Sequence, residues 1–205
     1  MEEETRPYND LLQRMWITRG ARYNAYRRLK KKHDLSIATI AFLSSYALII
    51  NSITFVNFIP LKSHQLNYIT FFTIVISVFI LVLSLIDSSK DYKMNADKLY
   101  ISAIEIENLY NELQKIGHTA VSPREKEKTF NVISSAYSRI LQLYQVNHDL
   151  IDYYIMTMDD KMDTAWDIIT GKYIYARAFV LPFIFYNLLI AITPVVFLVF
   201  LFMVK

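Results

Sequence analysis

Two long apolar runs lie in the first half of the chain and are separated by a short polar link. They extend from Leu35 to Asn57 and from Leu66 to Asp87, and Asp87 is the only charged residue in either. Each is about 22 residues long, so at 1.5 Å rise per residue a helix over either run would cross the ~30 Å hydrocarbon core of a bilayer. A third run, Ala178 to Val204, is also uncharged and at least as long. The pattern predicts three membrane spans, of which the first two form a transmembrane helical hairpin.

The polar stretch between the second and third runs has helical periodicity. Apolar residues recur along one face from Asp91 to Gly117, which predicts one helix. Ser122 followed by Pro123 is typical of a new helix start, and we expect this second helix to extend to about Thr170, where Gly171 interrupts it. The predicted fold is an all-α membrane protein with a transmembrane helical hairpin, a cytoplasmic helical hairpin and a C-terminal third transmembrane helix.

The charges are segregated, and their placement predicts the topology. Eight Lys or Arg residues and no acid lie between Arg14 and His33, whereas the link between the first two runs carries only Lys62. Because basic residues beside spans stay on the cytoplasmic side, the N-terminus and the central segment are expected in the cytoplasm. The predicted parts are a basic N-terminal helix (1–34), the transmembrane hairpin (35–87), a cytoplasmic helical domain (88–177) and the third transmembrane helix (178–205).

Composition offers little support for catalysis. The chain has no Cys, which excludes disulfides and thiol chemistry, and it has no phosphate-binding loop, nucleophile elbow or metal-ligand spacing. We therefore predict no enzymatic activity, no metal and no cofactor. The basic stretch abuts a predicted span, so membrane lipid is the expected partner of its charges and direct nucleic-acid binding is not expected.

The basic stretch, called here the basic collar (Arg14 to Lys32), has two interpretations. Its charges wrap around a helix, which favours topology and lipid-headgroup binding, but they could also form a docking face. Four candidate acids to receive such a face recur at intervals of seven, four and four residues: Asp152, Asp159, Asp163 and Asp167. On a single helix they would share one face, as a solvated surface or as partners of the collar in the same or a neighbouring subunit. In the second case the paired helices would couple a cytoplasmic rearrangement to the spans.

The second run carries a row of hydroxyl residues, called here the hydroxyl stripe: Thr70, Thr73, Ser77 and Ser84. Small hydroxyl residues in a span allow close helix packing, and polar residues in a span can also line a water path. Both interpretations remain open. A pore would need several copies, because three spans cannot enclose a wide channel, so a homo-oligomer is expected.

The segment from Trp16 to Leu29 directly precedes the hairpin and carries a specific pattern. Its matching residues are Trp16, Gly20, Ala21, Arg22, Asn24, Arg27 and Arg28. The pattern, followed by a basic run, two adjacent spans and a helical tail, resembles the entry to SLATT domains. These are two-span effector domains found beside nucleotide-second-messenger enzymes and reverse transcriptases in bacterial defence islands. The third span departs from the simplest two-span description.

The resemblance implies a function at the bacterial inner membrane, in a multi-pass protein with a cytoplasmic N-terminus. We expect a membrane effector that oligomerises and forms a pore or disrupts the inner membrane, killing or arresting a phage-infected cell. The partner it implies is a second-messenger synthase or a reverse-transcriptase system. The alternative is a non-conducting membrane scaffold that anchors a defence or signalling complex.

Overall fold

The computed structural model describes residues 2–55, 62–118, 122–158 and 165–203, and over these ranges the regular elements are all helices, with no strand. The elements are α1 (Glu2–Phe55), α2 (Ser63–Lys90), α3 (Tyr92–His118), α4 (Pro123–Leu143), α5 (Leu150–Thr157), α6 (Ala165–Tyr175), a π-helical turn (Ala176–Val180) and α7 (Leu181–Met203). Three helical stretches are long and apolar enough to cross a membrane: Arg6–Ser52, Ser63–Gly117 and Trp166–Val199. The predicted all-α fold with candidate transmembrane helices is confirmed.

Several predicted boundaries are confirmed and one long helix is corrected. Helix α3 ends at His118, and Ser122 is the N-cap of α4 with Pro123 in its first turn, as expected. The second helix of the polar region does not continue to Thr170. It ends at Leu143 and is followed by a non-helical segment, 144–149, before α5 begins. Gly171 also lies inside α6 and does not interrupt it.

The helices of the structure begin and end at slightly different residues from the apolar runs of the sequence. Ser63 to Gln65 already belong to α2, so the polar link is shorter than the sequence pattern indicated. The third run starts within the π-helical turn, and α7 proper begins at Leu181. Residues 56–61, including Pro60 of the link, lie outside the described ranges, as does Val204.

The chain divides into two compact units. Unit 1 comprises residues 1–30 and 93–178, and unit 2 comprises residues 31–92 and 179–205. The core of unit 1 is formed by buried apolar side chains of α1, α3 and α4: Leu11, Met15, Ile106, Leu113, Ile133 and Tyr137. The stripe read from the sequence of α3 is this core face, since Ile106 and Leu113 are fully buried. Helix periodicity therefore located the core of unit 1 correctly.

Unit 2 has its own apolar core, built from α1, α2 and α7. Its buried members are Leu43, Ile50, Ile69, Ile76, Leu83, Tyr186 and Phe197. Many other large apolar side chains of these helices are exposed, such as Leu48, Phe71 and Leu85. An apolar surface of this extent is typical of helices surrounded by lipid.

Candidate functional site

The residues of the family-like pattern lie in unit 1, on the part of α1 that packs against α3, α4 and α5. Ala21, Arg22, Asn24 and Arg28 are buried, whereas Arg27 is exposed. Five of the seven therefore belong to the interior or its edge, because Gly20 is also partly buried. The pattern thus marks a packed helix face with polar residues in it.

Gly20 allows α1 and α5 to approach closely. A Cβ added at Gly20 would overlap Sδ and Cε of Met156 and would come within 2.8 Å of its Cγ. A larger side chain would therefore displace Met156 from α1. Gly20 is explained by this contact and not by an unusual backbone conformation.

Trp16 and Arg19 form an aromatic and cationic edge on α1. The ring of Trp16 lies 5.8 Å from that of Tyr110, and the guanidinium of Arg19 lies 4.2 Å above the Trp16 ring. Arg19 also approaches Glu107 at 3.6 Å. The same glutamate accepts a hydrogen bond of 2.7 Å from the hydroxyl of Tyr23. Burial and this hydrogen bond raise the pKa of Tyr23 to about 12.

A buried, bidentate ion pair joins α1 to the start of α5. Arg28 donates from Nε to Oδ1 of Asp152 at 2.9 Å and from Nη2 to Oδ2 of the same carboxylate at 2.7 Å. Its Nη2 also donates to Asp149 at 2.6 Å. Asp152 is fully buried, and Arg28 is 7% exposed. A bidentate, buried contact of this kind is far stronger than a surface ion pair, and we call it the Arg28 clamp.

The local sequence explains why α5 presents these two acids together. Asp149 is the N-cap of α5, and its backbone N–H donates to Oδ2 of Asp152 at 3.0 Å. Asp152 therefore accepts hydrogen bonds from its own helix start and from Arg28. Burial alone would lower the pKa of Arg28, but its bonds to Asp152 and Asp149 raise that pKa overall. The guanidinium of Arg28 is therefore charged at neutral pH.

Arg22, six residues earlier on α1, has the opposite environment. It is only 2% exposed, and its Nε and Nη1 meet no hydrogen-bond acceptor in the described part of the chain. Burial lowers its pKa, and Tyr137 and Tyr144 act weakly in the other direction. Both phenols are engaged elsewhere, with Thr18 at 2.9 Å and with Glu105 at 2.9 Å. A buried and unpaired guanidinium costs several kcal/mol, so this group is a feature that folding alone does not favour.

His148 lies beside this arginine in the segment 144–149. Its Nδ1 is buried and has no hydrogen-bond partner in the described part of the chain. Burial and the charge of Arg22 lower the pKa of His148, while Asp152 and Asp149 act against that shift. The imidazole is therefore neutral at pH 7 and one of its two nitrogens can donate.

The four predicted coupling acids are not equivalent. Asp152 belongs to the Arg28 clamp, whereas Asp167 is an exposed residue of α6. Because α5 ends at Thr157 and α6 begins at Ala165, Asp152 and Asp167 lie on separate helices, and the prediction that they share one helical face is wrong. Asp159 and Asp163 lie outside the described residues. Sequence reasoning missed Asp149, although an Asp three residues before another Asp is a capping signal.

The hydroxyl stripe lies on α2 in unit 2. Thr73 is buried, and Thr70, Ser77 and Ser84 are exposed on the single chain. Thr70 and Ser77 donate to the carbonyls of Leu66 and Thr73, four residues earlier, at 2.9 and 2.8 Å. These hydroxyls are therefore satisfied by their own helix and can face lipid, a partner helix or water without an unpaired donor.

Unit 2 also contains polar contacts near the ends of its helices. Nδ1 of His33 lies 3.2 Å from Oδ2 of Asp87, and the ammonium of Lys31 lies 4.9 Å from the centre of the Phe183 ring. These contacts join α1 to α2 and to α7. In the described ranges no three His, Cys, Asp or Glu side chains are grouped to hold a metal ion.

Comparison with known proteins gives a family but no individual relative. The chain matches no curated protein and no solved structure. Residues 4–200 match the SMODS and SLOG-associating 2TM effector domain family 5, so the match covers nearly the whole chain, including α1 to α6 and most of α7. The chain belongs to the SMODS and SLOG-associating 2TM effector domain family 5, and it is an integral membrane protein of the effector class that this name describes.

Proposed function

We propose that the protein is an effector of the bacterial inner membrane that oligomerises and opens a pore, or otherwise disrupts the membrane, to kill or arrest a phage-infected cell. The observation that carries the proposal is the outward row of hydroxyls on α2 in a chain of an effector family. Thr70, Ser77 and Ser84 are exposed on the single chain, seven residues apart. A spacing of seven residues keeps a row on one side of a helix that packs against others.

The exposed row suits contacts between copies. Hydroxyl residues on a lipid-facing surface gain nothing from lipid, whereas at a helix interface they permit close approach and in a pore they contact water. The three described spans of one chain pack around a core of apolar side chains, and the described polar residues buried in unit 2 are Ser and Thr: Ser36, Thr39, Thr73 and Thr193. Conduction therefore requires several copies, with α2 of each copy facing a common axis.

Unit 1 supplies the control in this proposal. In the proposed topology it is cytoplasmic, together with the N-terminus, since the basic collar precedes the first span. The Arg28 clamp fixes α5 to α1, and α1 continues without interruption into the first span. A rearrangement of α5, triggered by a partner such as a second-messenger synthase, would reach the span through this helix.

A non-conducting scaffold is the second candidate, and it is favoured by the self-satisfied hydroxyls of α2, which do not need water. Two outcomes separate the candidates. If the protein forms a pore, the purified protein should run as a defined oligomer in mild detergent. After reconstitution into anionic liposomes it should release a trapped dye. A scaffold would retain the dye at the same protein density.

The stripe can be tested with a triple variant, Thr70→Leu with Ser77→Leu and Ser84→Leu. Leu is favourable at a span centre by about 0.3 to 0.6 kcal/mol per residue, so insertion should survive. Loss of dye release with the oligomer intact supports a water-facing row, and loss of the oligomer places the row at a helix interface. Ser45 and Ser52, also exposed hydroxyls but on α1, give a matched control when changed to Leu. If the α2 variant keeps the oligomer and releases the dye as the wild type does, the hydroxyl stripe does not line the pore.

A further inference from the structure

Two arginines of α1 are buried in unit 1, and among the residues that the structure describes only Arg28 of the two has an anionic partner. Arg28 is clamped by Asp152 and Asp149, whereas the Nε and Nη1 groups of Arg22 face no acceptor in the described part of the chain. A buried guanidinium without an acceptor is rare in folded proteins because the desolvation of a charge is expensive. The position is therefore prepared for an acceptor that the described chain does not provide.

The groups around Arg22 indicate that the missing acceptor is an anion. Asp149 and Asp152, which also act on His148, are both held by Arg28. The hydroxyls of Tyr137 and Tyr144 bond to Thr18 and to Glu105. The free donors are consequently a cationic guanidinium and an imidazole whose Nδ1 is also buried and unpaired. An oxyanion with several acceptor atoms matches such donors, and arginine is the side chain best suited to phosphoryl oxygens.

The chain near Arg22 includes the segment 144–149. It is not helical, unlike the chain on either side of it, and it contains His148. The exposed side chains of Gln145 and Asn147 alternate with more buried ones. A short segment without regular backbone hydrogen bonds opens at lower cost than a helix does, so entry of a small ligand through this segment would leave α1 and α4 intact.

We propose that Arg22 and His148 form a binding site for a phosphoryl group, enclosed between α1 and the segment 144–149. The ligand is inorganic phosphate or the phosphoryl end of a larger molecule, either a nucleotide or a lipid headgroup. The site is separate from the hydroxyl stripe and does not depend on pore formation. A bound anion would fix the position of His148. Because Asp149 follows His148 directly, the anion would also affect the Arg28 clamp.

The test is a titration of the full-length protein in detergent with inorganic phosphate, a nucleoside 5′-monophosphate and glycerol 3-phosphate. About 150 mM chloride screens exposed charges while leaving buried ones effective. Binding is measured by the rise in melting temperature and by broadening of the ³¹P resonance. We expect saturable binding of at least one of the three compounds, and the strongest of them identifies the source of the phosphoryl group.

Two variants and a control make the assignment specific. Arg22→Met should weaken the binding at least about tenfold, since a hydrogen bond to a charged group is worth that much, and His148→Gln should weaken it less. Arg27→Gln removes an exposed arginine of the same helix and should bind as the wild type does. Absence of saturable binding to the wild type overturns the proposal, as does equal binding by Arg22→Met. If Arg22→Met does not fold, unchanged binding by His148→Gln overturns the proposal and weakened binding supports it.

Discussion

The two units bury polar groups in different ways. Unit 1 encloses charges, with a fully buried carboxylate in the Arg28 clamp and, at Arg22, a guanidinium whose Nε and Nη1 meet no acceptor in the described part of the chain. Unit 2 encloses an apolar core, and its hydroxyls bond to carbonyls of their own helices. The charged interior of unit 1 can change state when a ligand or partner alters its pairing, whereas in unit 2 the described acid–base contact, His33 with Asp87, lies near the helix ends and outside the apolar core. In the proposed function, unit 1 accordingly supplies the control and unit 2 the membrane element.

The largest expected effect comes from breaking the Arg28 clamp. Asp152→Ala leaves a buried guanidinium with only the more exposed Asp149, and we expect a loss of about 3 to 5 kcal/mol in the free energy of unfolding. Chemical denaturation in mild detergent measures it. Asp167→Ala, at an exposed position of α6, is the control and should change the free energy by less than about 0.5 kcal/mol. Equal effects of the two changes would contradict a stabilising clamp.

Matched core truncations compare the two apolar cores directly. Ile106→Ala in unit 1 truncates a fully buried side chain in a core formed by the hydrophobic effect. It should lower the free energy of unfolding by about 2 to 5 kcal/mol. Ile76→Ala in unit 2 should cost less, because lipid tails are as apolar as the helix interface and only packing is lost. Both are measured by thermal unfolding in the same lipid-detergent mixture. A larger cost for Ile76→Ala would mean that the unit 2 core is not surrounded by lipid.

Removing the buried charge of Arg22 should change the stability in the opposite direction to breaking the clamp. Arg22→Met replaces a buried charge by an apolar side chain of similar length, and in phosphate-free buffer we expect a gain of about 1 to 4 kcal/mol. Arg28→Met, the matched change six residues later, should destabilise because it leaves Asp152 buried without its cation. Melting temperatures of the two variants report the two signs. A loss of stability in Arg22→Met would show that the wild-type chain already satisfies this guanidinium.

The smallest effect concerns Tyr23, whose pKa is raised to about 12 by burial and by its bond to Glu107. Because the folded pKa is higher than the unfolded value, its contribution to stability is complete below about pH 10 and is lost as the pH rises towards 12. Tyr23→Phe should remove part of this decline and cost about 1 kcal/mol at neutral pH through the lost hydrogen bond. Tyr154→Phe, at an exposed tyrosine of α5, is the control for the pH titration. An identical pH profile for the wild type and both variants would show that Tyr23 does not cause the loss of stability at high pH.

The sequence predicted the parts of the fold that depend on local periodicity. Length and apolarity located the three spans, the helical stripe of α3 located the core of unit 1, and Ser122 with Pro123 marked the start of α4. The break at 144–149 was missed because no proline or glycine marks it. Its cause is tertiary: the chain leaves α4 so that Asp149 can cap α5 and reach Arg28.

The candidate site was predictable only in part, for a related reason. Arg22 and Arg28 look alike in the sequence, six residues apart in a basic collar whose charges wrap the helix. Which of them finds a carboxylate depends on where α5 begins, and that is a long-range property. Asp152 was identified as a candidate acid from its spacing, but that spacing assumed one continuous helix, which the structure replaces by α5 and α6.

The central proposal, that copies of this chain open a water path, is tested most directly by electrical recording from a planar bilayer of anionic lipid containing the purified oligomer. We predict discrete conductance steps for the wild type and their loss in the Thr70→Leu, Ser77→Leu, Ser84→Leu variant, with the Ser45→Leu, Ser52→Leu control still conducting. The recording should be repeated with saturating phosphate and the native partner system, and labelling should show that the wild-type oligomer is inserted. If no conductance steps appear under these conditions, the result contradicts pore formation and leaves the membrane scaffold as the function.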